Sequence, residues 1–491
     1  MVQCLTIDWT FFYGSELAGS WFCKIVACLY TYDALFKCVI ERLLPHPVLY
    51  FYLHKVSSMD IVVLGATGVS GRQTVRYLAN HPQRSQFTLA IAARSRTKLD
   101  ELVSDLSLPK SIQIHVVDVT NFDQVEALVK DAKVVLNTVG PFAKWGPPVV
   151  RACARNGVHY ADLTGEQNFV REIIEKYAYI ASKTGSIIVP ACGMDSLPSD
   201  IAVFLANRAL KEHSLNAAEP LQIDTSTSSY EFQGVLSNGS ISTAVTAMTE
   251  IPKHKLTDMM RDYYLSPVSG KPYPSPRLVY RMTLPSTLET IVGGYFVMSS
   301  PNKAIVQRSW GLLEYEALAT KSATAKKERY GSSMVYDEFL RQKSTFSSAL
   351  LTLTVLVVFS VLKFLPPARR LFATLGMKET SVTLDKKLAS TGRLTVINVT
   401  NSVPSSASPP VKVQTTISAN GDPGYFLSPI MMAESGLSML LNREELPALS
   451  KKGGVLTPAV ALGNVIVQRL QEYAKFDIRC EIGTGENRKS I

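Results

Sequence analysis

The sequence predicts an α/β fold: a parallel sheet covered by helices on both faces, joined to a second, mixed α/β domain that contains an apolar helix. Three observations predict it. Short apolar runs alternate with helical patterns up to about residue 200, a glycine-rich turn joins the first run to the first helix, and the regular alternation then gives way to Ser/Thr-rich, β-like sequence.

The runs IVVLG (61–65), FTLAIAA (87–93), IQIHVVDV (112–119), KVVLNTVG (133–140), VHYADL (158–163) and SIIVPA (186–191) read as strands. Between them, residues 72–80, 97–106, 123–130, 147–156 and 168–184 carry apolar side chains at the three-and-four spacing of amphipathic helices. Strands separated by crossovers of that length pair in parallel and need helices on both faces. A helical stretch at 200–210 leads into IDTSTSSYEF, GSISTAVTAM and a proline-rich connector at 266–277, which mark a second domain. Strand patterns return in GRLTVINVT and VKVQTTISA, and helical ones in SPIMMAESGLSMLL and TPAVALGNVIVQRLQEY. The expected organisation is an N-terminal extension (1–58), a nucleotide-binding domain (59–200), a mixed α/β domain (201–343), an apolar segment (344–370) and a C-terminal part (371–491) that completes both domains. The extension is aromatic and cysteine-rich but interrupted by charges, and Met59 stands directly before the first strand, so one expectation is a functional polypeptide beginning there.

Composition narrows the function. The chain has 491 residues, 46% hydrophobic and 19% charged, which describes a folded protein and excludes a mostly disordered one. The net charge of +10 suits an anionic cofactor or an anionic membrane surface. No Lys/Arg block is interleaved with aromatics, which argues against nucleic acid as a partner. Seven cysteines at irregular spacing form no CxxC pair and suggest reduced thiols, and the seven histidines form no HxH or HxxxH pair, leaving a metal site without support. No basic, cleavable start of a secretory signal is legible.

The turn VVLGATGVSG offers backbone rather than side chains. It runs Gly65, Ala66, Thr67, Gly68, Val69, Ser70, Gly71, closing a buried strand and opening a helix. Free amides and the helix dipole point at whatever lies above such a turn, and glycine lets a pyrophosphate approach them. The second strand ends in Arg94, Ser95, Arg96 and Lys98, where an NAD-preferring fold would place an acid; a cation there suits a 2'-phosphate and favours NADP over NAD. Asp118 is a candidate for the adenine edge or a cap for the helix that follows. Asn137, Gly140 and Pro141 end the fourth strand, where the nicotinamide half belongs. Tyr160, Asp162, Glu166, Asp195 and Ser196 crowd two further strand ends and are candidates to orient substrate or relay a proton, with turn and capping chemistry as the alternative for each. Asp195, Ser196 and Tyr160 are the leading catalytic candidates.

Residues 344–362, STFSSALLTLTVLVVFSVL, carry no charge and are flanked by Arg341, Lys343, Lys363, Arg369 and Arg370. The length is near a minimal bilayer span, so a transmembrane helix, an insertion into a lipid surface and a buried core helix all remain open.

Taken together, VVLGATGVSG, LNTVGPFAKWGPPVVRACARNGVHYADLTGE and ACGMDSLPSD, with GDPGYFLSPIMMAESGLSML and GGVLTPAVALGNVIVQRLQ, closely resemble the saccharopine dehydrogenase-like oxidoreductases. The resemblance covers nearly everything from Met59 onward. It implies a Rossmann-type NAD(P)-binding domain joined to a mixed α/β domain, a nucleotide turn at residues 65–71, a strand-end arginine at Arg94, and association with membranes or lipid droplets. Bacterial relatives act as trans enoyl reductases in lipid assembly, and fungal ones are linked to glycolipid synthesis. The chain departs from the family at 371–387, where a Gly/Pro-rich loop is usual. The resulting expectation is an NADP-dependent oxidoreductase acting on a hydrophobic or lipid-linked substrate at a lipid surface, with a homodimer compatible. The alternatives are a non-catalytic nucleotide-binding scaffold and an amino-acid dehydrogenase of the saccharopine type.

Overall fold

A computed structural model describes residues 59–215, 219–234, 257–273, 275–365, 392–404, 409–483 and 489–490. The chain divides into two units, Met1–Val56 and Ser57–Ile491, and all described residues belong to the second. The extension at 1–58, the GSISTAVTAM stretch and the departure at 371–387 lie outside the described residues.

The strands are β1 (Met59–Leu64), β2 (Leu89–Ala93), β3 (Gln113–Val116), β4 (Ala132–Asn137), β5 (His159–Asp162), β6 (Ile187–Val189), β7 (Ile223–Gln233), β8 (Tyr280–Thr283), β9 (Thr290–Tyr295), β10 (Val335–Gln342), β11 (Arg393–Ser402), β12 (Lys412–Asn420), β13 (Gly454–Val455), β14 (Asp477–Gly483) and β15 (Lys489–Ser490). The helices are α1 (Val69–Ala79), α2 (Arg96–Asp105), α3 (Phe122–Lys130), α4 (Phe142–Asn156), α5 (Gln167–Thr184), α6 (Leu197–His213), α7 (Ser299–Thr320), α8 (Ala323–Glu328), α9 (Thr345–Phe364), α10 (Ser428–Leu441), α11 (Ala448–Lys451) and α12 (Pro458–Glu472).

The first sheet runs β3-β2-β1-β4-β5-β6-β13, parallel throughout. Its interior strand β1 is apolar and buried from Ile61 to Leu64, as a strand covered on both faces must be. The chain order reverses between β1 and β4, which opens a crevice above their carboxyl ends. The seventh strand, β13, comes from the far end of the sequence, and α10 packs on α1, β4 and β5. The nucleotide-binding half is therefore completed by residues well outside 59–200.

The second sheet runs β15-β14-β12-β11-β7-β10-β9-β8 and is antiparallel except for the β7/β10 pair. Helix α6 leaves the first sheet and packs on β11 and β12, joining the two layers. Helix α4 begins five residues before the expected start, at Phe142, because the Glu166 carboxylate accepts the amides of Phe142 and Ala143 (2.7 and 2.9 Å) and so caps its first turn.

Helix α9 inverts the usual amphipathic arrangement. Two of its hydroxyls, one turn apart, face inward: Ser348 and Thr352 are buried, Thr352 Oγ1 accepts the Tyr295 amide (2.9 Å) and donates to the Leu278 carbonyl (3.0 Å), and Gly294 lets the helix lie close on β9. Phe346, Leu350, Leu353, Leu356, Val357 and Phe359 face outward. Only 17% of the stretch Thr345–Leu362 is buried, so the expectation of a buried core helix is corrected.

Candidate functional site

The glycine turn joins β1 to α1, as its spacing suggests, and each glycine has a separate reason. Gly65 takes φ +85°, and a Cβ there would stand 2.7 Å from Thr138 Oγ1. At Gly71 a Cβ would fall 2.2 Å from the Gly65 carbonyl oxygen, so only glycine lets α1 start this close to the strand. Gly68 is different: its φ of −76° suits any residue, and the nearest atom to an added Cβ is 3.4 Å away. Gly68 is exposed at the open start of α1, where no side chain caps the helix and no acid sits in the first turn. The fold needs Gly65 and Gly71 but not Gly68, whose bareness leaves the start of α1 open to an approaching anion. Thr138, which the sequence reading missed, braces the turn by donating to the carbonyls of Leu64 (2.9 Å) and Gly65 (3.1 Å).

One strand over, Ser95 Oγ accepts the Lys98 amide (3.4 Å) and caps α2, while Arg96 is spent on Asp100 (3.0 Å). Arg94 and Lys98 are exposed, and neither side chain has a hydrogen bond or ion pair among the described residues. They are the cations available to a 2'-phosphate. Asp118 stays exposed beyond β3, its carboxyl held below the usual range by the amide and hydroxyl of Thr120 and, more weakly, by Arg94. It does not cap the next helix; Asn121 does, accepting the amides of Asp123 and Gln124 (3.1 and 3.2 Å). Asn137 is fully buried and accepts the Val139 amide (3.0 Å), which shapes the loop that carries Gly140 and Pro141 to the crevice mouth.

The remaining candidates separate into one unpaired carboxyl and a set of braces. Tyr160 is fully buried, with Asn137 donating to its hydroxyl (3.1 Å) while it donates to Asp162 (2.8 Å). Asp162 also accepts the amides of Thr164 (2.9 Å) and Ala191 (3.0 Å), which holds Ala191 at φ +61°, a region costly for a residue with a side chain. Burial pushes the Asp162 carboxyl up to about 6 against these bonds. Ser196 is buried and donates to Asn302 (3.0 Å). Tyr160, Asp162, Glu166 and Ser196 are thus engaged in holding the loops at these strand ends, the turn and capping chemistry that was the alternative for each.

Asp195 stands apart. Its carboxyl is half-buried with no hydrogen-bond partner among the described residues, and burial alone pushes it up to about 6. A Cβ added at Gly165 would meet Met298 Cε at 3.1 Å and Asp195 Oδ2 at 3.9 Å, so these three residues converge. The turn around Asp195 is clamped from three directions: the Met194 amide donates to Ser428 (2.9 Å), Tyr230 donates to the Asp195 carbonyl (3.1 Å), and Ser196 binds Asn302. A carboxyl poised near neutrality, unpaired and set against a methionine, is equipped to hold or release a proton beside an apolar ligand. The partners from the second sheet and α7 were not found from the sequence. The adjacent acids Asp337 and Glu338, set between the apolar pairs Val335–Tyr336 and Phe339–Leu340 of β10, were the available signal.

A parallel sheet with a glycine turn at its crevice, unpaired cations one strand over and an isolated carboxyl has the features of an NADP-binding oxidoreductase. Residues 61–189 match the saccharopine dehydrogenase NADP binding domain. The chain is 31% identical over 421 residues to a trans-acting enoyl reductase of Mycobacterium tuberculosis, covering 84% of this chain and 95% of that protein. It is 30% identical over 435 residues to the trans-acting enoyl reductase of Mycobacterium ulcerans, covering 84% and 96%. Among solved structures, the apo saccharopine dehydrogenase (L-Glu forming) of Saccharomyces cerevisiae aligns with 87% of this chain and all of its own at 11% identity and a TM-score of 0.45. The chain belongs to the saccharopine dehydrogenase-like oxidoreductase family, in the company of the trans-acting enoyl reductases, and its cofactor is NADP.

The glycine assignments give a direct test. Gly68→Ala is expected to raise the NADPH dissociation constant at least about tenfold, roughly 1.4 kcal/mol, with an unchanged melting temperature. Fluorescence titration and thermal melting of the same sample measure both, and native affinity in the variant would show that no ligand approaches Gly68.

Proposed function

We propose that the protein reduces the carbon–carbon double bond of an enoyl group on a hydrophobic, lipid-linked substrate, working at a membrane or lipid-droplet surface in lipid metabolism, glycolipid assembly included. The observation that carries the reading is Asp195, an unpaired carboxyl pushed up to about 6 and facing Met298 across Gly165. When bound, NADPH supplies a hydride. The amides at the start of α1 hold its diphosphate, and Arg94 and Lys98 hold the 2'-phosphate. Asp195 delivers the proton that completes reduction at the carbon next to the carbonyl, and the clamps from Ser428, Tyr230 and Asn302 keep its turn in place. Met298, partly buried, gives the neighbourhood its apolar side.

The amino-acid dehydrogenase reading has less support. Such a substrate needs unpaired cations for its carboxylates, whereas Lys303 is bound to Asp262 (2.6 Å) and Arg308 is buried on the carbonyls of Leu265 (2.7 Å) and Val455 (2.5 Å). The outward apolar face of α9 supports attachment to a lipid surface.

The test combines turnover and flotation. Purified full-length protein is expected to oxidise NADPH faster than NADH when given trans-2-decenoyl-N-acetylcysteamine, followed at 340 nm. It is also expected to float with phosphatidylcholine/phosphatidylserine vesicles, and to stop doing so when Leu353, Leu356, Val357 and Phe359 are changed to serine. No consumption of NADPH above the thioester-free rate would refute the reductase; equal flotation of the serine variant would refute the lipid contact.

A further inference from the structure

Glu338 on β10 is fully buried, and no cation pairs with it among the described residues. Hydrogen-bond donors take that place. Oε1 accepts from Asn302 (2.7 Å), and Oε2 accepts from Tyr336 (2.7 Å) and Ser199 (2.8 Å). Two arms leave this carboxyl and end on the same turn. Ser199 Oγ lies 2.5 Å from the Tyr230 hydroxyl, which reaches the Asp195 carbonyl at 3.1 Å. Asn302, through Oδ1, accepts from Ser196 Oγ (3.0 Å). Every side chain in both arms is buried.

The hydrogens on these arms can be counted. Tyr230 has one to give, either to Ser199 or to the Asp195 carbonyl. With Glu338 ionised, Ser199 must donate to it, so the free lone pair of Ser199 draws the Tyr230 hydrogen and the Asp195 carbonyl loses its donor. With a proton on Oε2, the order reverses: Glu338 donates to Ser199, Ser199 to Tyr230, and Tyr230 to the carbonyl. Tyr336 and Asn302 stay with the carboxyl in both states.

We infer that Glu338 is a positioning residue for the Asp195–Ser196 turn, setting the direction of the Ser199–Tyr230 chain and with it whether the Asp195 carbonyl is held. The inference rests on the reading of Asp195 as proton donor only for its catalytic meaning; the coupling of Glu338 to the turn stands on the geometry. The ionisable groups around Glu338 are Tyr336 and Asp337 on its own strand, Tyr230 on β7 and Tyr295 on β9, with Asp195 in the turn facing Tyr230; α6 and α7 contribute the neutral Ser199 and Asn302. Lys303 and Arg277 face Asp337 instead. Burial outweighs the three donors and pushes Glu338 up to about 8, so the held state prevails at pH 7 and is released in mild alkali.

Hydrogen exchange of peptides covering residues 191–198 tests this without any substrate. After correction for intrinsic rates, protection in the native full-length protein is expected to fall about fivefold between pH 7 and pH 9, the worth of one hydrogen bond. Glu338→Gln keeps a donor for Ser199 and cannot ionise, so its protection should not change with pH. Tyr230→Phe cuts the chain without touching the carboxyl, and protection should be low at both pH values. A native protein with the same protection at pH 7 and pH 9, or a Tyr230→Phe variant that matches it, overturns the coupling. Failure of NADPH oxidation with the decenoyl thioester overturns the reductase reading alone.

Discussion

Asp195→Asn is expected to lower NADPH-dependent reduction of an enoyl thioester by about 100-fold or more, the usual contribution of a positioned acid, while leaving NADPH affinity intact and the protein more stable. The gain in stability follows from sign. The Asp195 carboxyl rises to about 6 in the folded protein from an ordinary value of 3.8, so between these values the folded state binds more protons than the unfolded one and stability falls as pH rises. At pH 7 the native protein carries that cost in full. An amide removes it, and with the partial exposure of the group discounted the variant should gain about 1 kcal/mol. Native turnover should likewise fall as pH rises through about 6, where the donor loses its proton. Steady-state rates from pH 5 to 8 and urea melts of both proteins measure the two effects. Loss of activity accompanied by loss of stability would assign Asp195 a structural role.

Glu434→Ala is expected to cost about 3–5 kcal/mol, the penalty of stripping a buried charge of its partner. Glu434 is fully buried on α10. It accepts from the hydroxyl of Tyr77 on α1, from His81 Nε2 (2.9 Å) and from Arg469 Nε on α12 (2.7 Å). The Gln83 amide donates to His81 Nδ1 (3.0 Å), which leaves Nε2 as the donor toward the carboxylate. Arg469 is itself buried and binds Asn442 (2.9 Å) and Gln83 (2.8 Å), so its guanidinium cannot turn to water when the carboxylate is removed. Urea unfolding followed by circular dichroism should show the midpoint falling, with Glu434→Gln less damaging because it preserves two of the acceptor contacts. An unaltered midpoint for the alanine variant would mean that Arg469 and His81 find other partners.

What the sequence disclosed depended on how far apart the cooperating residues lie. The strands from β1 to β6 and the turn at Gly65–Gly71 were legible because their signals are local: apolar runs, glycines and a helix start within ten residues. Arg94 and Lys98 were legible for the same reason, since they follow the second strand directly. The roles of Tyr160, Asp162, Glu166 and Ser196 were not, because a carboxyl at a strand end looks the same whether it faces a ligand or a neighbouring loop. Only the packing of α7 and β10 against those loops separates Asp195 from the others. The apolar run at 344–362 declared its length and composition, but the direction its hydroxyls face depends on β9, about fifty residues earlier. Likewise β13 is two residues long, too short to register as a strand, and becomes one by extending an existing edge.

The placement of β13, α10 and α12 bears on how the polypeptide is made. A ribosome extrudes the cofactor-binding segment early, yet the helix that pins α1 and the last strand of its sheet emerge only after residue 428. Until then the nascent chain exposes an apolar sheet face without its cover, and the Tyr77 and His81 side chains await an anion not yet translated. The native cofactor-binding half therefore cannot form before residues 428–472 have been made, and stop codons ahead of residue 472 should yield insoluble product instead of a shortened enzyme.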